Sequence, residues 1–172
     1  MITVTKTKLP GVLLITPEIV RDARGEYVET YNKEMYLREG ITADFIQDDI
    51  SVSRKDVLRG FHGDPVTWKL ISCLWGEFYL VIVQCDETKP SFGEWVSFTL
   101  SDRTKQQVLV PPMHGVAHLA LTDRIIFNYK QTTYYDPSIQ FSYKWDDPRF
   151  KVEWPITNPI LSKRDAEGRY VD

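Results

Sequence analysis

Arg59-Gly60-Phe61-His62, followed by Lys69 on the next apolar run, is the stretch of this chain best equipped for chemistry. It sets an imidazole, a guanidinium and an ammonium against apolar residues, at the edge of a core and not on a solvated face. Tyr129 and Asp165 lie downstream. A histidine, a lysine, a tyrosine and a carboxylate together can run proton transfer next to a carbonyl. A proton on the carbon beside a ketone can be removed because the charge left behind delocalises onto the carbonyl oxygen. Inverting that carbon needs a base on one face, an acid on the other and a group that holds the enolate. Imidazole, with an ordinary pKa of ~6.5, is the natural base, which makes His62 the candidate. Lys69 can place positive charge at the developing enolate oxygen, where a preorganised donor contributes ~3–4 kcal/mol. Tyr129 ends the apolar run Ile125-Ile126-Phe127-Asn128-Tyr129, where a buried phenol must find a partner; it is the candidate acid. The competing reading is packing alone: a core histidine, a surface lysine, a core tyrosine and a solvated tail carboxylate.

Short strands punctuated by turns must position these groups. Strands are expected over Gly11–Thr16, Glu26–Tyr31, Asp44–Ser53, Val57–Phe61, Trp68–Leu74, Glu77–Cys85, Glu94–Leu100, Gln106–Val110, Val116–Leu121, Ile125–Thr132 and Gln140–Lys144. One short helix is expected from Asn32 to Gly40, with Asn32 as N-cap and Gly40 as its stop. Alternation along a strand sends Lys69 to the face opposite Trp68 and Leu70. The spacing predicts an all-β sandwich or barrel and not alternating β/α units. Phe78-Tyr79-Leu80-Val81-Ile82-Val83 is apolar throughout, so one face should meet the barrel interior and the other a second sheet or subunit. The polar tail Ser162–Asp172 should wrap the surface.

A chain of 172 residues that is 42% hydrophobic can build one proper core, so residues 1–172 are expected to form a single domain. A net charge of −3, with acidic and basic residues interspersed, argues against nucleic acid as partner. Cys73 and Cys85 sit singly in apolar runs, as buried thiols of a reducing compartment do. No basic region followed by an apolar core opens the chain, and no apolar run approaches the ~20 residues of a membrane span. A cytoplasmic protein without a membrane partner is expected.

The chain resembles the nucleotide-sugar 3,5-epimerases typified by dTDP-4-dehydrorhamnose 3,5-epimerase. The resemblance runs from about Gly11 to Asp165. It rests on Asp22-Ala23-Arg24-Gly25 with Glu29, Phe45-Ile46-Gln47 leading to Ser51 and Ser53, and Val57-Leu58-Arg59-Gly60-Phe61-His62. It continues through Val110-Pro111-Pro112 with Gly115 and Ala117-His118, and Tyr129-Lys130 with Tyr134. It ends with Trp145-Asp146-Asp147-Pro148, Trp154-Pro155 and Leu161-Ser162-Lys163-Arg164-Asp165. Each piece is weak; their joint order is specific. The resemblance implies a cupin-type jelly-roll barrel, an intertwined homodimer, no metal and no cofactor. The implied substrate is a nucleoside-diphosphate 4-keto-6-deoxy sugar. It further implies that Asp165 is the carboxylate partner of His62, and that Tyr129, not Tyr134 or Tyr135, is the acid. Arg59 and Arg24 become candidate diphosphate ligands, since guanidinium forks match phosphate oxygens; Arg59 could instead orient His62 or the sugar. Tyr27 is implied as a base-stacking residue, with Glu29 and Gln47 on the nucleotide side; Asp49 is a further substrate-binding candidate.

The chain departs from the commonest form of the family. After the histidine most members carry an aromatic and a glutamine, with a longer gap to the lysine; here the run is Gly63-Asp64-Pro65-Val66-Thr67-Trp68-Lys69. That shorter form resembles the branch acting on GDP-linked 4-keto-6-deoxy heptoses. Asp49 stands where asparagine is frequent, and Pro112-Met113-His114-Gly115 replaces a plainer turn. Nucleotide (GDP or dTDP) and sugar therefore stay open. His118 sits in a trace of the second cupin motif, but His62 lacks the His-x-His pair and glutamate of the first, so it reads as structural or substrate-contacting. His114 reads as a turn residue near the site mouth. A 3,4-ketoisomerase on the same fold, a metal-dependent cupin and a non-catalytic sugar-binding jelly roll remain as alternatives.

Overall fold

The structure is a computed structural model that describes residues 1–170; the end of the expected 1–172 domain and of the Ser162–Asp172 tail lies outside the described residues. The strands are β1 (Ile2–Lys6), β2 (Leu13–Pro17), β3 (Val20–Asp22), β4 (Gly25–Tyr27), β5 (Gln47–Arg54), β6 (Leu58–Gly63) and β7 (Lys69–Trp75). They continue with β8 (Glu77–Gln84), β9 (Trp95–Ser101), β10 (Gln107–Val110), β11 (His114–Ala120), β12 (Arg124–Gln131) and β13 (Phe141–Ser142). A six-stranded antiparallel sheet runs β1-β2-β10-β7-β12-β5, and a five-stranded sheet runs β13-β6-β11-β8-β9. The two form the expected all-β, cupin-type jelly roll.

Alternating residues from both sheets build the core between them: Ile71 and Cys73 of β7, Phe78, Leu80 and Ile82 of β8, Val108 and Val110 of β10, and Phe127 of β12. β8 shows why a strand can be apolar at every position. Its second face, Val81 and Val83 with Tyr79, packs against Phe61, Tyr143, Phe150, Val152 and Trp154. The chain's own C-terminal segment therefore covers the face expected to meet a second sheet or subunit. Part of the outer face of the other sheet is covered by α1 (Lys33–Arg38) and its flanks, with Tyr36, Ile41, Phe45 and Trp68 over Ile15, Leu70 and Leu109. Asn32 caps α1 as expected, its side chain accepting from the Met35 N–H. The tail folds partly into α2 (Lys163–Ala166) and buries Asp165.

A bulge in β6 decides what faces the barrel interior. Val116 of β11 pairs with His62 while His118 pairs with Arg59, so β6 carries an extra residue there. Strict alternation would send Arg59 and His62 to opposite faces; the bulge turns both inward. Gly60 sits in it at φ +118, where a Cβ would lie 2.3 Å from the Val116 carbonyl oxygen and 2.6 Å from Ala117 Cα, so only glycine lets the strands approach.

Candidate active site

Both sheets contribute to one cavity of about 280 Å³ at the end of the barrel. Arg59 and His62 on β6 and His118 on β11 face it from the five-stranded sheet; Lys69 on β7 and Tyr129 on β12 face it from the other. Lys69 reaches it because Trp68 and Leu70 turn outward under α1. The register that sets Gln131 opposite Lys69 and Tyr129 opposite Ile71 keeps the ammonium and the phenol on one face of neighbouring strands.

Asp165 Oδ1 lies 2.7 Å from His62 Nε2. The carboxylate sits off the ring N–H direction, leaving Nε2 in close contact with it but without an aligned hydrogen bond. The carboxylate is fixed independently of the histidine: Ser162 Oγ donates to Oδ2 at 2.6 Å and the Gly60 N–H to Oδ1 at 3.1 Å. Burial alone would raise its pKa, but His62, Ser162 and Gly60 together outweigh burial and hold it below the usual carboxylate range. An ionised partner in this position would stabilise an imidazolium at His62.

Burial raises the Tyr129 phenol above its ordinary value, and the Asp49 carboxylate adds to the rise. Tyr129 therefore stays protonated at neutral pH, as an acid must. Burial lowers Lys69, Asp64 opposes the fall and Arg164 adds to it. His118 stacks flat on Phe127 with ring centroids 3.9 Å apart, and its buried Nε2 has no hydrogen-bond partner among the described residues. Burial, then Arg59 and His62, push its pKa down to about 3, so the ring is neutral.

The remaining expected residues divide. Asp49 accepts from Gln47 Nε2 at 2.7 Å and from Gln131 Nε2 at 3.0 Å, and Gln131 lines the cavity; Gln47 and Asp49 thus border the site. Arg24, Tyr27 and Glu29 do not reach the cavity of their own chain. Arg24 pairs with Asp22 on the exposed β3–β4 hairpin, Tyr27 is 69% exposed, and Glu29 accepts from Asn32. His114 is not a turn residue at the mouth: it opens β11, is buried, and contacts Pro112 O and Gln84. The neighbouring-strand pairing with Gln84 draws it inward.

Gln131, Gln140, Arg164 and Asp64 were not singled out in the sequence, and Tyr135, set aside there as the acid, lines the cavity. Gln131 follows from alternation, two residues past Tyr129. Arg164 adjoins Asp165, and Asp64 lies two residues past His62. Nothing local marks Gln140.

The sequence model described as dTDP-4-dehydrorhamnose 3,5-epimerase matches residues 6–172. The chain is 38% identical to the dTDP-4-dehydrorhamnose 3,5-epimerase of Salmonella typhimurium over 179 residues, spanning 100% of this chain and 97% of that protein. The Legionella pneumophila dTDP-6-deoxy-D-glucose-3,5-epimerase, solved with dTDP-4-keto-L-rhamnose, is 34% identical and superposes with a TM-score of 0.94, over 99% of this chain and 93% of that one. A 3'-monoepimerase of Streptomyces bikiniensis, solved with dTDP-quinovose, is 27% identical with a TM-score of 0.89, over 95% of this chain and 85% of that one.

Proposed function

The chain belongs to the dTDP-4-dehydrorhamnose 3,5-epimerase family, and from that premise we propose that it inverts C3, C5 or both in a nucleoside-diphosphate 4-keto-6-deoxy sugar. One observation carries the reading: His62, backed by Asp165, faces Lys69 and Tyr129 across a cavity walled by two different sheets. That arrangement supplies a base on one wall and, on the opposite wall, an acid with a cation beside it.

In this mechanism the ring nitrogen of His62 turned away from Asp165 removes the proton beside the ketone. The electron pair moves onto the carbonyl oxygen, where Lys69 stabilises the enolate. Tyr129 then delivers its phenolic proton to the carbon from the other wall, inverting the centre. Exchange with water restores both residues. His118, neutral and unpartnered, can hydrogen-bond the sugar, and Arg59 can take a phosphate. The substrate of the Salmonella and Legionella relatives, as their names give it, favours a dTDP-linked sugar here. Asp49 and the short His62-to-Lys69 spacing are the reason to test a GDP-linked heptose beside it.

A cavity of about 280 Å³ holds a sugar ring but falls short of a whole nucleotide sugar, since pockets for larger ligands run to ~1,000 Å³. On this reading the nucleotide extends out of the cavity mouth. We propose that a second copy completes the site. Ile50 and Val52 of β5 and Leu74 and Trp75 of β7 are exposed on the outer face of the six-stranded sheet, and the hairpin bearing Arg24 and Tyr27 projects free of its own cavity. In a homodimer these faces would meet and each hairpin would serve the other copy's nucleotide.

Proton NMR in heavy water tests the activity, with dTDP-4-keto-6-deoxyglucose and a GDP-linked 4-keto-6-deoxy heptose in parallel. Deuterium is expected at C3, C5 or both with one of them. Exchange with neither, or a ketone moved to C3, would sink the epimerase reading.

A further inference from the structure

We propose that Asp64 is a positioning residue for this reaction: its buried carboxylate holds Lys69 at the cavity wall and supplies the counter-charge that lets a buried lysine stand there as an ammonium ion. This rests on the epimerase reading above. Asp64 is 2% exposed. Its Oδ1 accepts the N–H groups of Val66 at 3.0 Å and Thr67 at 2.7 Å, and its Oδ2 accepts Gln140 Nε2 at 2.9 Å. The same Oδ2 lies 3.7 Å from Lys69 Nζ, with the two side chains only 1% and 12% exposed.

Three N–H donors fix this carboxylate, so it cannot follow the lysine; the lysine must come to it. The turn Asp64–Thr67 requires an acceptor, which an asparagine would also provide. What the amide would lack is the charge, and an unpaired carboxylate buried this deeply is costly. Lys69 is the cation that justifies it. The separation matters as well. At 3.7 Å the pair attracts strongly, yet it lies beyond ordinary hydrogen-bond length. The ammonium protons are thereby kept for an oxygen in the cavity. A tighter pair would spend them on Asp64.

Other charged and titratable groups facing Lys69 do not replace Asp64. Arg164 of α2 and Arg59 of β6 are cations, and His62, His118, Tyr129 and Tyr135 line the same cavity without fixed negative charge. Asp165 is committed to His62, and Asp49 to Gln47 and Gln131. Burial and Arg164 both disfavour the ammonium, and Asp64 opposes them. Removing the Asp64 charge should therefore lower the Lys69 pKa, so that the ammonium is lost at lower pH.

The test uses Asp64→Asn, which keeps the turn acceptor, and Asp64→Asn/Gln140→Glu, which returns a carboxylate through the side chain already touching Oδ2. Two readouts are taken on full-length protein whose fold is checked by circular dichroism. One is the 13C NMR titration of the Lys69 ε-carbon, which needs no substrate. The other is kcat and KM for deuterium exchange on the substrate the wild type accepts. Asp64→Asn is expected to lower the Lys69 midpoint by about one unit or more. It should also cut kcat on the order of 10- to 100-fold, leave KM within about threefold, and move the alkaline fall of kcat to lower pH. The double variant should recover both readouts, and it carries the test if the single variant does not fold. An unchanged midpoint and kcat in folded Asp64→Asn would overturn the proposal. So would a folded double variant with the Lys69 midpoint restored and kcat still low. A wild type inactive on both sugars would instead overturn the epimerase reading, and with it any catalytic role for Asp64; the Lys69 titration separates that outcome from a failure of the charge pairing.

Discussion

On the proposed mechanism His62 and Tyr129 divide the two halves of an inversion, and single substitutions can separate them. His62→Ala removes the base, and turnover is expected to fall on the order of 10²- to 10⁴-fold, read by product NMR. Tyr129→Phe leaves His62, Asp165 and Lys69 in place. It is expected to keep washing deuterium into the substrate while losing inverted product, because the proton can leave and return only on the His62 side. Loss of exchange and inversion together in Tyr129→Phe would show that Tyr129 is not the acid. The neutral, flat-stacked His118 fits neither proton role, since its pKa of about 3 makes its protonated form rare.

At the scale of elements, the site depends on a bulged strand and a very short helix. Gly60→Ala places a methyl group against the backbone of β11, with contacts of 2.3 and 2.6 Å that no side-chain rotation relieves. Such overpacking costs ~1–3 kcal/mol; the strain at positive φ adds to it. The same shift would carry off the Gly60 N–H that fixes Asp165. Denaturant melts should show the loss, and activity should fall further than the stability change explains. Ser162 caps α2 through the Asp165 N–H and also donates to the Asp165 carboxylate. Ser162→Ala should cost ~1 kcal/mol as a lost cap while lowering kcat by loosening the carboxylate behind His62. A stability loss with unchanged kcat would mean that Gly60 suffices to hold Asp165.

At the scale of the whole molecule, buried ionisable groups make the fold acid-sensitive. Below its ordinary pKa of 6.5 the unfolded chain protonates His118, whereas the folded chain refuses that proton until about 3. Stability should therefore fall as pH drops through that window. Asp165 and Asp64, whose carboxyls are held below 3.8 in the fold, add stability that is full above that value and lost as pH falls through the lowered folded values. Thermal midpoints measured from pH 7 to 4 should decline, and His118→Gln should flatten the upper part of the slope; an equal slope in both proteins would contradict this assignment. Assembly gives the second prediction at this scale. Val52→Lys on the exposed outer face of β5 should shift a dimer towards monomer in light scattering and weaken nucleotide binding. Retained dimer with full binding would place the interface elsewhere.

The sequence alone determined the strand-rich architecture, because turn residues and two-residue alternation are local properties of the chain. It also singled out His62, Lys69, Tyr129 and Asp165 as candidates by type and motif, and alternation was enough to aim Lys69 away from Trp68 and Leu70. Tertiary structure decided which of these groups meet. Asp165 reaches His62 because α2 docks beneath Gly60, a contact between segments far apart in the chain. Arg59 joins His62 on the inner face through a bulge that alternation cannot foresee. Asp64 acquires meaning only through burial beside Lys69 and Gln140, and His114 loses its expected place at the mouth by pairing into β11. Arg24 carries a family motif and Tyr27 was a base-stacking candidate, yet both stand apart from their own chain's cavity. Local patterning reports which neighbours share a face; convergence depends on how non-consecutive strands pair and on what burial leaves around each charge.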